Sequence, residues 1–194
     1  MAPIDAANSR GLTVAIVGAE CSGKTTLAEA LARRFDAPWV PEYSRSYLAN
    51  RTSYEADDVL AIAQGQYRAE AALTADESLL FADTDLVVIK IWWDVRFGGT
   101  IAWIDSALEA ALSNARQRRY LVPTPDIPWI ADPLRENPSD RPALHARYIQ
   151  LLDVLGAQYA EISGSPQERL DLASRVVANW MAQDESSGLY QPNR

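Results

Sequence analysis

The sequence predicts an α/β fold built around a parallel β-sheet. Short apolar runs alternate along the chain with longer segments whose apolar residues recur at helical spacing, as consecutive strand–helix–strand units require. Five such runs are enough for an ordinary sheet. The 194 residues contain no internal repeat, low-complexity tract or linker, and this length is typical of one domain. We therefore expect a single domain in which helices cover a five-stranded sheet.

The predicted strands are short and mostly apolar. The first has the sequence LTVAIV, and the third ends in the apolar run LLFA followed by an aspartate. Continuous apolar runs of this kind are typical of strands that are buried on both faces of a parallel sheet. In chain order the strands are expected at 12–17, 38–42, 78–83, 119–123 and 158–163.

Helices are predicted between these runs from apolar residues three or four positions apart. One stripe spans 27–35, and another spans 144–155 and ends at Gly156, a residue that commonly follows a helix. An alanine-rich helix over 56–73 is expected either to line a ligand pocket or to pack as plain core. The last helix opens with an N-cap, a first-turn proline and a capping-box acid, which are Ser165, Pro166 and Glu168.

The ends of the chain and one internal stretch differ from this pattern. Residues 1–10 and 184–194 are expected to be loose tails around a domain at 11–183. The stretch 124–142 carries five prolines among acidic and basic residues, so it is predicted to form a polar flap or lid.

The composition narrows the range of partners and locations. With 18 Lys and Arg against 26 Asp and Glu, the net charge of −8 repels phosphate backbones, so no nucleic-acid partner is expected. No apolar run is long enough to span a membrane. A single cysteine cannot form an internal disulfide, which favours a reducing cytoplasm. The sequence leaves the oligomeric state open, and a homo-oligomer remains possible.

The strongest motif directly follows the first predicted strand and opens an amphipathic helix. The segment GAECSGKT matches G-x-x-x-x-G-K-[ST] in the context that a phosphate-binding loop requires, and the alternative is a structural glycine-rich turn. In such a loop the backbone amides and the helix N-terminus hold phosphates, the lysine reaches the β- and γ-phosphates, and the threonine binds Mg²⁺. The sequence thus predicts an ATP and Mg²⁺ site formed by Gly18, Glu20, Cys21, Ser22, Gly23, Lys24, Thr25 and Thr26.

Acidic residues end two other predicted strands, where open α/β folds bind ligands. Asp83 is the candidate to face Mg²⁺ together with Thr25. Asp85 lies two residues further on and is expected either to contact the phosphoryl acceptor or to cap the helix that begins at Leu86.

The second strand ends at Glu42, within the segment PEYSR. Glu42 could act as the general base that accepts the proton of an attacking hydroxyl, while Arg45 pairs with a phosphate or fixes Glu42. The alternative is an ordinary helix-start acid beside a surface arginine. Whether Glu42 or Asp83 is the base stays open at this point.

Together these residues resemble the ribosylnicotinamide kinase domain of NadR-type proteins. The resemblance rests on the phosphate loop, Glu42-Tyr43-x-Arg45, Gln66, Asp83-Thr84-Asp85, and PWIADPLR at 128–135 followed by Arg141. It implies that ATP phosphorylates the 5′-hydroxyl of nicotinamide riboside, giving nicotinamide mononucleotide for NAD salvage. It also implies a three-layer P-loop NTPase fold with the strand order 2-3-1-4-5.

The resemblance implies roles for individual residues. The catalytic set would be Lys24, Glu42, Asp83, Arg135 and Arg141, and the acceptor would contact Glu42, Tyr43, Arg45, Gln66, Asp85 and Trp129.

Several of these roles have alternatives. The two flap arginines would close over the phosphates, or would only pair with acids of the loop. Trp129 would cover the pyridine ring or anchor the core, with Trp92 and Trp93 as rival stacking residues. Gln66 would bind a carboxamide or be an ordinary exposed helical residue.

The sequence departs from the family pattern at a few positions. Cys21 replaces an expected serine, and Pro133 replaces a more usual glycine in the flap. The histidine-rich motif of an adenylyltransferase is missing, since His145 is the only histidine, so that second activity is not expected.

Two further features are given structural interpretations. The cluster Arg116, Arg118 and Arg119 is expected at a helix C-terminus, where cations offset the helix dipole. His145 lies on a helical stripe without partners at metal-ligand spacing.

Two rival functions remain. One is a P-loop kinase for another nucleoside, nucleoside monophosphate or small alcohol. The other is an ATP- or GTP-binding switch without phosphoryl transfer, although no N-K-x-D guanine signature is present.

Overall fold

The computed structural model describes residues 11–74, 77–99, 101–113, 116–130 and 140–186. The predicted N-terminal tail, residues 131–139 of the flap with Arg135, and the last eight residues lie outside these ranges. Five parallel strands form one sheet in the order β2-β3-β1-β4-β5, which confirms the predicted order. The strands are β1 (Leu12–Ile16), β2 (Trp39–Val40), β3 (Leu79–Asp83), β4 (Gln117–Pro123) and β5 (Gln158–Ile162).

Helices cover both faces of this sheet. One hydrophobic core packs α1 and α7 against one face, and a second core packs α3, α4, α5 and α6 against the other. The three-layer prediction is therefore confirmed. The helices are α1 (Lys24–Phe35), α2 (Tyr43–Leu48), α3 (Ala56–Thr74), α4 (Leu86–Arg96), α5 (Ala102–Leu112), α6 (Arg141–Val154) and α7 (Pro166–Ser186).

The register of the central strands determines where side chains converge. Strands β1 and β3 are buried along their whole length because both of their faces are covered by helices. Ile16 at the end of β1 pairs with Asp83 at the end of β3. The phosphate loop after β1 and the acidic turn after β3 therefore leave the sheet at the same carboxyl edge.

The arginine cluster does not lie at a helix end, so that prediction was wrong. Helix α5 ends at Leu112, while Arg118 and Arg119 belong to β4 and Arg116 precedes it. Arg116 donates to the Thr13 hydroxyl over 2.7 Å. Arg118 pairs with two buried acids and Arg119 pairs with the buried Asp184. The acids that pair with Arg118 and Arg119 are 33 to 65 residues away in sequence, so charge patterning alone could not reveal them.

The predicted C-terminal tail begins too early. Helix α7 continues to Ser186, and Asp184 is buried against Arg119 of β4. A buried ion pair between the helix end and the sheet keeps this last turn in place, although its composition is polar. Within the described ranges, no helix is both long and apolar enough to cross a membrane.

Candidate active site

The phosphate loop joins β1 to α1 and has the backbone conformation that its glycines permit. Gly23 caps α1 in the left-handed region at φ 85°, where a side chain would be strained. The Lys24 ammonium donates to the carbonyls of Gly18 and Ala19, each over 3.0 Å. The ammonium thus lies over the turn, where incoming phosphate oxygens would compete with these carbonyls for its protons.

The flap segment that is described packs directly on this loop. The Ile130 amide donates to Cys21 Sγ over 3.3 Å. The Arg141 guanidinium donates to the carbonyls of Ile127 at 2.9 Å and Cys21 at 3.3 Å. It also lies 5.8 Å from the centroid of the Trp129 ring, a cation–π contact. Arg141 and Trp129 therefore lie beside the phosphate loop, and Arg135 is outside the described residues.

Arg169 at the start of α7 connects three loops at the same edge. Its buried guanidinium donates to the Ser22 carbonyl over 2.7 Å and to the Gly164 carbonyl over 2.7 Å. It further donates to the Thr124 carbonyl over 3.0 Å and pairs with Asp126. The sequence analysis gave Arg169 no role, because the backbone carbonyls that it binds leave no pattern in the sequence.

Asp83 is a buried acid whose environment contains groups of the phosphate loop. Its side chain is fully buried, and neither carboxylate oxygen has a hydrogen-bond partner among the described residues. Burial raises the pKa of Asp83 from 3.8 to about 6, although the nearby Thr25 hydroxyl and Lys24 charge lower it and Glu42 raises it.

This environment fits a divalent cation. Carboxylate and hydroxyl oxygens are the protein ligands that Mg²⁺ prefers, and a cation would neutralise the buried Asp83 charge. Asp83 and Thr25 are therefore the residues that could hold Mg²⁺ here. The Ser22 hydroxyl is a further buried group without a partner among the described residues.

Replacing Asp83 with Asn should stabilise the protein in the absence of nucleotide and metal. A pKa that rises from 3.8 to about 6 means that ionised Asp83 destabilises the fold above pH 6 and not below about pH 4. We expect a gain of about 1–3 kcal/mol at pH 7.5, which shrinks as the pH falls through this window. Thermal unfolding in EDTA at pH 7.5 and pH 5 checks this result, and equal effects at both pH values would contradict it.

Glu42 is the N-cap residue of α2, and its carboxylate is bound by neighbouring side chains of the same helix. The Ser44 hydroxyl donates to Glu42 Oε1 over 2.6 Å, and Arg45 Nε donates to Oε2 over 3.1 Å. Of the two roles considered for Arg45, the structure shows the one that fixes Glu42. Glu42 and Arg45 lie close enough to Asp83 to influence its pKa, which Glu42 raises and Arg45 lowers.

Asp85 has the capping role that the sequence offered as an alternative. Its Oδ1 accepts from the Val87 amide over 2.8 Å at the start of α4, and its Oδ2 accepts from Arg118 over 3.1 Å. The side chain is 1% exposed. Contact between Asp85 and an acceptor stays a prediction, with both oxygens already engaged by the protein.

Gln66 is not an exposed helical residue, so that alternative was wrong. It is buried on α3, and both ends of its amide bind backbone groups. Of the two rival tryptophans, Trp92 is engaged with Tyr54, to whose hydroxyl its indole donates over 2.9 Å. The remaining predicted residues have simple positions: Glu20 is half-buried in the phosphate loop, Thr26 is exposed on α1, and Tyr43 packs on α3.

Tyr148 was missed as a site residue. It is buried on α6, and burial raises its pKa well above the usual range, with Glu20, Glu42 and Asp85 raising it further. Three carboxylates from three segments therefore lie within electrostatic range of this phenol. The sequence placed Tyr148 in an apolar stripe, where an aromatic residue is normally interpreted as part of the hydrophobic core.

A loop of this geometry at the carboxyl edge of a 2-3-1-4-5 parallel sheet defines the P-loop class of nucleotide-binding proteins. Comparison with known families places the chain more closely. Residues 13–169 match the AAA domain model, and the chain belongs to the AAA domain family.

Individual relatives agree with the resemblance to NadR-type proteins. The chain is 27% identical over 159 residues to the trifunctional NAD biosynthesis/regulator protein NadR of Salmonella typhimurium, covering 77% of this chain and 38% of that protein. It therefore spans well under half of that relative. The resemblance predicted from the motifs is confirmed at this level.

Two solved structures share the fold. A NadR protein in complex with NR has a TM-score of 0.66 at 22% identity, covering 88% of this chain and 51% of that one. A NadR protein in complex with NAD and AMP-PNP has a TM-score of 0.66 at 23% identity, covering 95% of this chain and 52% of that one. At these identities the likeness shows a common fold.

Proposed function

We propose that this chain is an ATP-dependent kinase that phosphorylates the 5′-hydroxyl of nicotinamide riboside. One observation carries the proposal: Asp83 is buried within interaction range of Lys24 and Thr25 of the phosphate loop and of the Glu42–Arg45 pair. A nucleotide-binding loop and two strand-end carboxylates therefore share one site. A phosphoryl transferase needs this combination, whereas a nucleotide switch has no use for a base beside the γ-phosphate.

The phosphate loop would bind and orient ATP. Its inward amides and the Lys24 ammonium would hold the β- and γ-phosphates, and Arg141 would add positive charge from the flap side. Mg²⁺, held by Thr25 and Asp83, would neutralise charge on the phosphate oxygens. We assign Arg135 to the same flap role as Arg141 from the motif alone.

Glu42 is the better candidate for the base. As the acceptor oxygen bonds to the γ-phosphorus, its proton passes to the Glu42 carboxylate, and the bond from the γ-phosphorus to the bridging oxygen breaks to release ADP. Ser44 and Arg45 orient this carboxylate from the side of α2. Asp83 is completely buried and is better suited to hold a cation than to accept a proton from a substrate.

The acceptor is inferred from the relatives. A solved NadR protein of the same fold contains NR, and a curated relative is a NAD biosynthesis protein. Trp129 beside Arg141 offers an indole face near the loop that could cover a pyridine ring. The proposal also places the reaction in the cytoplasm, in agreement with the single cysteine.

A coupled ADP-release assay tests this proposal. We expect nicotinamide riboside to accelerate ADP formation at least about tenfold more than cytidine, uridine, thymidine or their monophosphates, because only its base carries a positive charge that an indole can bind. Glu42→Gln should lower that rate by about 10²- to 10⁴-fold. If another acceptor gives the highest rate, the assignment of nicotinamide riboside is wrong, but the assignment of kinase activity stands. If no acceptor accelerates ADP formation and Glu42→Gln leaves the basal rate unchanged, the protein is a nucleotide-binding switch instead.

A further inference from the structure

One buried side chain connects the two acidic segments of the site. Gln66, which is 1% exposed on α3, accepts a hydrogen bond from the Tyr43 amide over 2.9 Å through Oε1. Its Nε2 donates to the Thr84 carbonyl over 3.0 Å. Tyr43 directly follows Glu42, and Thr84 lies between Asp83 and Asp85. A single rigid amide thus spans the backbone on both sides of the proposed reaction centre.

The residue before Gln66 contributes to the same contact. Gly65 lies inside the 19-residue helix α3, where glycine destabilises a helix by about 1 kcal/mol relative to alanine. A Cβ at this position would overlap the ring of Tyr43. The absence of a side chain lets the Tyr43 ring lie against the helix backbone. Gly65 and Gln66 together therefore form a seat for the first residue of α2, by shape and by hydrogen bonding.

At its Nε2 end the Gln66 amide binds a strained turn that contains Thr84. Thr84 has φ 75°, a left-handed conformation that is unfavourable for a β-branched residue by about 1–3 kcal/mol. Its amide donates to the Ile16 carbonyl over 3.1 Å, and its carbonyl accepts from Gln66. These two bonds fix the turn from β1 and from α3. The turn directs Asp83 toward the phosphate loop and leaves Asp85 at the start of α4.

We propose that Gln66, together with Gly65, is a positioning residue that sets the distance between the Glu42 carboxylate and the Asp83 turn. The inference rests on the proposed phosphoryl transfer, in which Glu42 is the base and Asp83 would hold the cation. Both ends of the Gln66 amide are engaged with backbone, so it acts through Tyr43 and Thr84 rather than by contacting a substrate. Its effect should appear in turnover and not in nucleotide binding.

Two substitutions displace the seat by different means. Gln66→Met keeps the length of the side chain and removes both hydrogen bonds, whereas Gly65→Ala pushes Tyr43 away and leaves the Gln66 amide intact. Each should lower kcat by about 10²-fold, because a misplacement of about 1 Å has that cost in a transfer reaction. The KM for ATP should stay within about twofold, since the phosphate loop lies on another element. Arg68→Ala, an exposed change on the same helix, is the control and should leave both constants unchanged.

The assay is run well below the unfolding temperature of each variant, and backbone amide exchange is measured in parallel. Faster exchange at 43–48 and 84–86 in both variants, with the kcat loss described above, supports the seat. Unchanged kcat in either variant, or a loss that falls equally on kcat and on the KM for ATP, overturns the positioning role. If the wild-type protein transfers phosphate to no acceptor, the proposed kinase function is wrong. If amide exchange at 43–48 and 84–86 is then also unchanged in the variants, the seat is wrong as well.

Discussion

Replacing Lys24 with alanine is expected to lower phosphoryl transfer by about 10²- to 10³-fold. In the proposed reaction the Lys24 ammonium would bind the β- and γ-phosphates, and removing one preorganised donor to developing charge typically reduces kcat by about 10²- to 10³-fold. In the present structure its protons go to two loop carbonyls of the same turn. The loss should therefore fall on nucleotide binding and catalysis, with little change in folding stability. Steady-state kinetics with varied ATP and a thermal unfolding curve measure the two effects.

A matched control is available, because the chain has only one other lysine. Lys90 on α4 pairs with Asp105 on α5 over 2.5 Å, away from the phosphate loop. Lys90→Ala removes the same charge and should change turnover by less than about twofold, as expected for a surface-type ion pair. Transfer by Lys24→Ala within tenfold of the wild type would contradict the assignment of the loop.

Replacing Arg118 with methionine is expected to destabilise the fold by about 3–5 kcal/mol. The guanidinium of Arg118 pairs with Glu70 of α3 and, over 3.1 Å, with Asp85 at the start of α4. All three side chains are nearly buried, so removing the cation leaves two carboxylates without compensation in a low-dielectric environment. Urea unfolding followed by circular dichroism measures the loss.

The pH dependence of this variant has a definite sign. Burial raises the pKa of Glu70 and of Asp85, and the Arg118 charge lowers both. Without Arg118 the two pKa values rise further above their unfolded values, so stability falls as the pH rises through them. The variant should therefore lose more stability at pH 8 than at pH 5.

Two further variants separate a buried ion pair from a general loss of charge. Arg33 pairs with Glu29 on the exposed face of α1, and Arg33→Ala should change stability by less than about 0.5 kcal/mol. Combining Arg118→Met with Glu70→Leu should recover part of the loss, because one uncompensated charge is then removed. A double variant that is additive, or an Arg118→Met protein as stable as the wild type, would contradict the triad.

Much of the fold followed from the sequence because its signals are local. Apolar runs gave all five strands to within three residues at either end, and helical patterns gave α1, α3, α6 and α7. The phosphate loop was recognisable because Gly23, Lys24 and Thr25 are adjacent and follow a strand. Asp83 could be placed at the site because parallel strands all end at the same edge.

Other residues depend on partners that are distant in sequence. The sequence suggested that Arg118 belongs to a basic cluster at a helix C-terminus, whereas β4 brings it between Glu70 and Asp85. Gln66 reads as a ligand-binding or exposed residue until α3 packs beside Tyr43 and Thr84.

The sequence by itself determined the parallel sheet, the phosphate loop, and the carboxyl edge of the sheet as the place where a ligand binds. Only the tertiary structure decided which carboxylates are paired, which are buried alone, and which polar side chains hold the backbone of the site. The physical reason is that a local pattern specifies backbone conformation, whereas the charge state and the role of a polar group depend on what surrounds it after folding.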